Sequence, residues 1–346
     1  MSGPGRALIA AAALAILAAG PAPAPAQPAP AQPAPAQPSP AQPTPAPATP
    51  GTPAVVVDQL GAHVWQASDA DFGGFSGLEM SDDGARYWAL SDRGTIRWGS
   101  VERDAQGRIA QLTTAGTARL QDSKGGKLQP GYLGDAEGLA IDARGRMFVS
   151  FEGLDRVARF DDPDQPATPL PKAPPFASLR RNAGLEALAV TPAGDLLVIP
   201  EDWAETDPGF PVWRFRAGAW STAYRLPRDP RWAPVGADVG PDGKLYVLER
   251  DFRGLMGFAS RVRRYAMTDD ALGPPEPLIQ SVPMQYDNLE GIAVWADAQG
   301  IRITLISDDN FLFVQRNELV EFRIREGSGS SLPAAAFAAP IPSALD

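Results

Sequence analysis

The sequence predicts an all-β fold, a β-propeller, because one strand–turn–strand pattern recurs along the chain. Five segments each place two apolar runs around a turn that contains glycine. They begin at residues 76, 137, 186, 235 and 290, so successive starts are 61, 49, 49 and 55 residues apart. A period of about 50 residues is typical of propeller blades. Helical periodicity is weak, and 34 glycines and 37 prolines argue against long helices.

Each copy has the form of the innermost hairpin of a blade. The turn glycine lies eight positions after the start in the first four copies, and the fifth copy reaches Gly300 with two extra residues. Asp83-Gly84 and Asp242-Gly243 are strong hairpin signals. RVARF from Arg156 and RVRRY from Arg261 are predicted third strands. The copies are SGLEMSDDGARYWALSDRG, EGLAIDARGRMFVSFEG, EALAVTPAGDLLVIPED, VGADVGPDGKLYVLERD and EGIAVWADAQGIRITLISDDN.

The sequence leaves the number of blades open between five and six. Two apolar stretches remain outside the five copies, AVVVDQLGAHVW from Ala54 and AAAFAAPIPSALD from Ala334. They could close the ring as strands shared with another blade, or they could form a degenerate sixth blade.

The first residues predict export. Arg6 precedes an apolar run over residues 7–20, which has the length of a signal-peptide core and is too short to cross a bilayer. The triplet Ala-Pro-Ala at 24–26 is a typical cleavage signal. We predict a signal peptide over 1–26, an Ala/Pro-rich linker over 27–53 and a propeller domain over 54–346. A retained membrane anchor is the alternative; otherwise we expect a periplasmic or secreted protein with no stable membrane insertion after cleavage.

The amino-acid composition limits the classes of partner that the protein is expected to bind. Arg6 is the only charged residue before Asp58, which leaves 30 basic and 41 acidic side chains and a formal net charge of −11 for the domain. Nucleic acid is not an expected partner, because phosphate binding needs a basic surface. The chain has no cysteine, which excludes disulfides and thiolate chemistry. We expect a monomer that acts on a small anionic or ester substrate.

Aligned on their turn glycines, the copies place carboxylates in two columns. The first column contains the residue that opens each copy, and the second column lies three positions later. Copies without an acid in the first column carry one in the second, so every predicted blade contributes one carboxylate near the start of its innermost strand. These acids are Glu137, Glu186 and Glu290 in the first column, and Glu79 and Asp238 in the second.

Innermost strands line the channel of a propeller, so these five carboxylates should converge on its axis. Like charges in proximity raise one another's pKa or must be neutralised. Each acid could latch its blade to the next one. Alternatively, Glu79, Glu137, Glu186, Asp238 and Glu290 could ligate a hard cation, Ca²⁺ first and Mg²⁺ second, with help from Asn182 and Asn288. Zinc is excluded, since the chain offers no cysteine and only one histidine, His63.

More charged residues follow the second apolar run of the copies. Glu152 and Glu201 are candidate general bases that would accept a proton from water. Arg93, Arg156, Arg250 and Arg253 could pair with such acids or clamp an anionic substrate, because a guanidinium matches two phosphate oxygens. Together with a cation, which polarises a substrate and activates water, these residues predict metal-assisted hydrolysis.

Four segments carry a resemblance to a known family: FSGLEMSDDGARYWALSDRG, DAEGLAID, NAGLEALAV and NLEGIAV. They are similar to signposts of the bacterial phytase-like family, in matching order and spacing, over residues 72–324. The resemblance implies a propeller fold and an esterase-like hydrolysis of esters or phosphoesters. Propeller phytases combine a calcium cluster with many Lys, Arg and His residues, whereas this chain has four lysines, 27 arginines and one histidine. That departure argues against phytate as the substrate.

Other functions remain alternatives. A lactonase-like propeller would hold one metal through Glu and Asn side chains, and Glu137, Asn182, Asn288 and Asp308 could supply them. A non-catalytic binding platform would use Trp203, Trp213, Trp220 and Trp232, although packing between blades explains these side chains more simply.

A Ser-His-Asp hydrolase is excluded, because His63 lies outside every repeat, where we expect a surface or packing role. Ser76 lacks the spacing of a nucleophile elbow and is interpreted as a strand-start residue.

Overall fold

Twenty strands form five four-stranded antiparallel sheets, which are the blades of a propeller. The computed structural model describes residues 55–179 and 184–326. The predicted signal peptide, the linker and the C-terminal apolar stretch lie outside these residues. In the described part of the chain, no helix is long and apolar enough to span a membrane. The only helices described are two short 3-10 turns, Pro174–Ser178 and Gly254–Met256.

The strands follow the chain blade by blade. β1 is Val56–Val64. Blade 1 contains β2 (Phe75–Met80), β3 (Arg86–Ser91), β4 (Thr95–Arg103) and β5 (Ile109–Arg119). Blade 2 contains β6 (Ala136–Ile141), β7 (Met147–Phe151), β8 (Arg156–Phe160) and β9 (Thr168–Pro169). Blade 3 contains β10 (Ala187–Val190), β11 (Leu196–Ile199), β12 (Gly209–Arg216) and β13 (Ala219–Pro227). Blade 4 contains β14 (Ala233–Val239), β15 (Leu245–Phe252), β16 (Phe258–Tyr265) and β17 (Glu276–Gln280). Blade 5 contains β18 (Asn288–Asp297), β19 (Gly300–Asp308), β20 (Glu318–Arg325) and β1.

The repeat predicted this architecture. All five copies form the inner hairpin of a blade, and the predicted third strands are β8 and β16. The five turn glycines all have positive φ, from +66° at Gly84 to +141° at Gly300, which is a conformation that other residues rarely adopt.

The choice between five and six blades is settled by β1. This strand pairs antiparallel with β20, with Val57 opposite Ile324, and so becomes the outermost strand of blade 5. The first and last described strands therefore share one sheet, which closes the ring.

The hydrophobic core is divided into five parts, one between each pair of neighbouring blades. Between blades 4 and 5, for example, Val235 and Leu248 pack with Ile292 and Leu305. Alternate residues of a strand point to opposite faces, so the inner strands present apolar side chains to both neighbouring blades.

Around the channel, the inner strands approach closely at the glycines of the repeat. A Cβ atom on Gly236 of β14 would lie 2.4 Å from the carbonyl oxygen of Glu290 in the next blade. At Gly138 of β6 it would lie 2.7 Å from the carbonyl oxygen of Glu186. Contacts this short do not occur at real Cβ atoms, so these positions require glycine.

We expect Gly236→Ala to destabilise the domain by about 1–3 kcal/mol, because the new methyl group must push two inner strands apart. Urea unfolding measures the change. Gly61→Ala in β1 is the matched control, since its Cβ would meet Arg108 at an ordinary distance of 3.6 Å. Equal stability of the two variants would contradict the close approach of the strands.

Candidate functional site

The candidate site lies at one end of the channel, which we call the mouth, where inner strands begin and second strands end. The first-column residues sit there on β-bulges in four blades. The pairing of the inner hairpin shifts between Phe75 and Gly77, Ala136 and Leu139, Pro234 and Gly236, and Leu289 and Gly291. A bulge leaves a residue unpaired and redirects its side chain, here Ser76, Glu137, Val235 and Glu290. In blade 3, Glu186 directly precedes β10.

Three glutamates of the first column come together at the mouth. Glu137, Glu186 and Glu290 are each at least nine-tenths buried. Burial raises the pKa of Glu137 well above its usual value, and the charges of Glu186 and Glu290 raise it further. The pKa of Glu186 is likewise raised well above its usual value, by burial and then by Glu201 and Glu290. These shifts require that protons or a cation reduce the net charge.

A second group of acids adjoins Glu137. Oxygen atoms of Asp135, Glu137 and Glu152 all lie within 4.8 Å of one another. Glu152 accepts a hydrogen bond from the backbone N–H of Gly184 at 3.2 Å. Burial, followed by the charges of Asp135 and Glu201, raises the pKa of Glu152 to about 7. Burial also raises the pKa of Asp135.

Asp135 was missed in the sequence, although a signal for it exists. It precedes Glu137 by two residues, and residues two apart on an extended chain lie on the same side. Glu152 is a candidate base in the sequence because it follows the second apolar run of its copy. That position alone does not show that Glu152 adjoins Glu137.

Arg250 neutralises the mouth on one side only. It lies near the end of the second strand of blade 4, β15, and donates to Glu290 and, at 2.6 Å, to Glu201. It also donates to the Asn288 side-chain oxygen at 3.0 Å, while the Asn288 amide donates to Glu290 at 2.8 Å. Burial opposes the charged form of Arg250, but the surrounding glutamates raise its pKa above the usual value. Glu201, a candidate base, and Arg250, a candidate clamp or ion-pair partner, thus form an ion pair that extends to Glu290 and connects blades 3, 4 and 5.

The other predicted arginines have different surroundings. Arg93 stacks on the ring of Phe311. Arg156 stacks on Phe151 and donates to the carbonyl oxygen of Leu133 at 2.5 Å, while its Nη1 atom has no partner among the described residues. Burial lowers the pKa of Arg156 to about 10.

Arg253 differs again, because its guanidinium is engaged by Asp251 at 2.8 Å. Arg93 and Arg156 are therefore the two predicted arginines that form no ion pair within the described part of the chain.

The two second-column acids lie away from the mouth, towards the opposite end of the channel. Glu79 accepts the backbone N–H of Ile141 in the next blade at 3.1 Å. Asp238 accepts the N–H of Val294 in the next blade at 2.6 Å. Burial, and then the charge of Asp238, raises the pKa of Glu79. The structure therefore divides the five predicted metal ligands into two groups. Three lie at the mouth. The other two, Glu79 and Asp238, which we call the far pair, make the backbone contacts expected of a latch between blades.

The loop after β19 completes the mouth with strained backbone. Asn310 and Phe311 have φ values of +48° and +51°, a rare conformation for a bulky residue. Asp309 holds this loop by accepting the N–H groups of Gly74 and Phe311 at 2.9 and 3.1 Å. Beside it, burial and then the charge of Glu290 raise the pKa of Asp308 to about 9. Backbone strain of this kind concentrates at functional sites.

The remaining candidates have structural roles or cannot be placed. Trp213 is buried in the packing between blades 2 and 3, and Trp232 is buried with the Arg261 guanidinium over its ring. The Trp220 ring nitrogen donates to the carbonyl oxygen of Pro171 at 2.6 Å. Ser76 donates its hydroxyl to the Ala136 carbonyl at 2.7 Å, a contact between blades 1 and 2. His63 is half-buried on β1, where burial lowers its pKa. Asn182 lies outside the described residues.

Trp203 also packs against Trp213, at 5.4 Å between ring centroids, so the four tryptophans do not form a free binding face. At the axis itself, the channel narrows to a space of about 10 Å³ lined by inner-strand residues, among them Glu186 and Glu290. Such a space holds no more than a single water. A larger ligand therefore does not fit within the channel at this point.

Comparisons with known proteins give one family match. A family model described as "Esterase-like activity of phytase", for the phytase-like family, matches residues 70–311. No curated protein sequence matches the chain.

Solved structures resemble the chain at low sequence identity. The PQQ-bound aldose sugar dehydrogenase of Streptomyces coelicolor is 13% identical, with 79% of this chain and 100% of that chain covered and a TM-score of 0.42. A gluconolactonase of Xanthomonas campestris is 16% identical, with 72% of each chain covered and a TM-score of 0.38. Virginiamycin B lyase from Staphylococcus aureus is 11% identical, with 78% and 99% covered and a TM-score of 0.37. These values carry no argument about activity.

The buried carboxylates predict that metal-free protein loses stability as the pH rises. The pKa of Glu152 is about 7 and that of Asp308 about 9 in the folded chain, against about 4 for unfolded acids. Between about pH 4 and pH 9 the folded chain therefore binds more protons than the unfolded chain, and its free energy of unfolding falls with increasing pH. Denaturant unfolding in a chelating buffer across this range measures the slope.

Asp308→Asn should flatten that slope, because the substitution removes one of the carboxyl groups whose pKa is raised. The asparagine side-chain oxygen can still accept the hydrogen bond from the Asn310 backbone N–H. The control is Asp104→Asn: backbone and side-chain donors, led by the Arg108 N–H, lower the pKa of Asp104. Asp104 is ionised in both states over most of the range, so its loss should leave the slope unchanged. A free energy of unfolding that rises from pH 5 to pH 9 would contradict the raised pKa values.

Proposed function

The chain belongs to the phytase-like family, and from this membership and the acidic mouth we propose that it is an exported, metal-assisted hydrolase of phosphoesters or other esters. The predicted signal peptide and linker support a periplasmic or secreted location for this activity. Cleavage of a lactone, an internal ester, belongs to the same proposal.

The observation that carries the proposal is the environment of Glu137. This carboxylate is nine-tenths buried, and the groups that shift its pKa are all acids: Glu186, Glu290, Asp135 and Glu152. Among the described residues, no hydrogen-bond donor reaches it. A latch acid would have such a donor, as Glu79 and Asp238 do. A buried acid without one is stabilised by a proton or by a cation.

The residues present fit calcium. Two oxygens bound to one Ca²⁺ at about 2.3–2.6 Å lie at most about 5 Å apart. The oxygens of Asp135, Glu137 and Glu152 lie within 4.8 Å of one another. We assign the cation to Asp135 and Glu137, with Glu186 and Glu290 as the adjoining acids that add negative charge. The far pair, Glu79 and Asp238, is left out of this assignment because their oxygens accept backbone hydrogen bonds.

Bound calcium would polarise a phosphoryl or carbonyl oxygen and favour the ionised form of a nearby water. The other roles belong to side chains. A carboxylate oxygen of Glu152, oriented by the Gly184 N–H, accepts the proton of the attacking water. Glu201 is less suited to this role, because its carboxylate forms an ion pair with Arg250.

Arg93 and Arg156 contact the substrate oxygens. Each guanidinium is positioned by stacking on an aromatic ring, and neither forms an ion pair with a carboxylate among the described residues. Arg250 and Arg253 act through the acids they already bind, and so they position the site without holding the substrate.

We expect calcium to raise the melting temperature of the protein, since a ligand that binds only the folded state stabilises it by about 2.7 kcal/mol at 100 times its Kd. Glu137→Gln should abolish this rise, whereas Glu102→Gln, an exposed acid on β4, should preserve it. Differential scanning calorimetry with calcium, with magnesium and with chelator measures the effect. An unchanged melting temperature at millimolar calcium would remove the cation from the proposal.

We expect hydrolysis of at least one member of a panel containing a phosphomonoester, a phosphodiester, a carboxylic ester and a lactone. Removing a general base lowers kcat by about 10²–10⁴-fold. Glu152→Gln should show this loss and retain the calcium-induced stabilisation, whereas Glu137→Gln should lose both. The activity of Glu102→Gln is the control. Hydrolysis by Glu137→Gln at the wild-type rate would exclude Glu137 from the mechanism.

A further inference from the structure

Blade 2 differs from the other four blades at one buried position of its second strand. In each blade, one residue of that strand lies opposite the residue that follows the first-column position. In blade 2 this residue is Ser150, whereas in the other four blades it is leucine or isoleucine. All five side chains are fully buried. The apolar counterparts of Ser150 are Leu90, Ile199, Leu248 and Ile306.

The Ser150 hydroxyl is part of the bulge of blade 2. The register of the inner hairpin shifts between residues 136 and 139, and Ser150 alone faces the two residues there, Glu137 and Gly138. The backbone N–H of Gly138 donates to the Ser150 hydroxyl oxygen at 2.9 Å. A Cβ atom on Gly138 would lie 2.6 Å from this oxygen, so the hydroxyl packs directly against the glycine. Leucine or isoleucine at this position would offer no acceptor.

Without the hydroxyl, this part of the backbone would be weakly constrained. A bulge interrupts the pairing of the strands, and glycine restricts φ and ψ less than any other residue. The peptide bond between Glu137 and Gly138 is planar, so an acceptor that fixes the Gly138 N–H also fixes the ψ angle of Glu137. Ser150 therefore helps to set the direction in which the Glu137 side chain leaves the backbone.

Glu137 depends on its backbone for orientation because no hydrogen-bond donor reaches its carboxylate among the described residues. The Glu290 carboxylate, in contrast, is oriented directly by Arg250 and Asn288. In metal sites, groups that orient a ligand control metal affinity although they do not touch the metal. For Glu137 the orienting contact acts through the backbone, and Ser150 supplies it.

The serine also occurs in the blade that carries the candidate calcium ligands. Asp135 directly precedes β6, Glu137 lies on β6, and Glu152 directly follows β7. We propose that Ser150 is a positioning residue of the calcium site, which holds the backbone of Glu137 so that this carboxylate and Asp135 meet one cation. This role deepens the proposed function and rests on it.

Calcium binding to Ser150→Ala tests the role. Calcium alone is titrated by isothermal calorimetry, well below the melting temperature of each variant. Loss of a group that orients a metal ligand lowers metal affinity by about 10–100-fold, so we expect the Kd for calcium to rise at least about tenfold. Ser150→Thr keeps the hydroxyl on a β-branched side chain, like Ile199 and Ile306 in other blades, and should restore the wild-type Kd. An unchanged Kd in Ser150→Ala would overturn the proposal.

Ser281→Ala is the matched control. Ser281 follows β17, the outermost strand of blade 4, and its buried hydroxyl oxygen accepts the backbone N–H of Ser260 at 2.8 Å. Both alanine variants remove a buried hydroxyl that accepts a backbone N–H, so both should lose similar stability in chelating buffer. Only Ser150→Ala should weaken calcium binding. An equal loss of calcium affinity in the two variants would assign the effect to general destabilisation and overturn the positioning role.

Hydrogen exchange in metal-free protein tests the hydrogen bond itself. The Gly138 amide should exchange faster in Ser150→Ala than in the wild type, because local opening no longer has to break this bond. Nuclear magnetic resonance measures the rate. Equal exchange rates would show that the Gly138 N–H does not depend on Ser150, and the proposal would fall.

Hydrolysis measured against calcium concentration separates this inference from the proposed function. We expect Ser150→Ala to need at least about tenfold more calcium for half-maximal activity and to regain a kcat near that of the wild type at saturating calcium. Glu152→Gln should show the opposite behaviour, a lower kcat at an unchanged calcium requirement. An unchanged calcium requirement in Ser150→Ala would overturn the inference and leave the hydrolase intact.

Two further outcomes complete the test. Calcium binding that depends on Ser150, without hydrolysis of any ester in the panel, would overturn the hydrolase and support the positioning role. A wild-type protein that binds no calcium would overturn the cation of the proposed function and this role with it.

Discussion

The close approach of five inner strands around the channel is the constraint on which the rest of the structure depends. At Gly236 and Gly138 no side chain fits between one blade and the next. Each of these glycines follows the residue at the bulge, so the strands meet directly beside the first-column position. A carboxylate at that position cannot move away from its counterparts on other blades. The packing that closes the ring therefore concentrates the negative charge of Glu137, Glu186 and Glu290.

This concentration explains the chemistry of the mouth. Burying an unpaired ion is unfavourable by several kcal/mol, and a polypeptide relieves it with a base, a proton or a metal. Arg250 relieves it for Glu290 and Glu201, where three blades contribute to one ion-pair network. On the opposite side, Asp135, Glu137 and Glu152 have no such base among the described residues. The asymmetry leaves one side of the mouth paired with a base and the other side without one among the described residues.

The repeat predicted the blades because strand periodicity and turn glycines are signals within a short stretch of sequence. Which acids lie together depends on the three-dimensional arrangement of the blades, which the sequence does not show. Residues three apart on a strand are separated by about 10 Å and point to opposite faces, so Glu79 and Asp238 could not share the position of Glu137. The two-residue spacing of Asp135 and Glu137 was visible in the sequence, but the bulge that turns Glu137 to the mouth was not. The pairing of Arg250 with both Glu201 and Glu290 depends on the order of the blades around the ring.

The two ends of the channel have different roles, since one end contributes to stability and the other carries the candidate site. At the far end, Glu79 fastens blade 1 to blade 2 and Asp238 fastens blade 4 to blade 5 through backbone hydrogen bonds, without contribution from the mouth. The mouth can then carry features that reduce stability: buried acids, exposed apolar side chains, and left-handed backbone at Phe311 and Met284. Natural sequences retain unfavourable features of this kind where binding requires them. Because the strained residues, the exposed apolar side chains of the loops and the unneutralised acids share one end of the ring, we infer that they belong to one binding site.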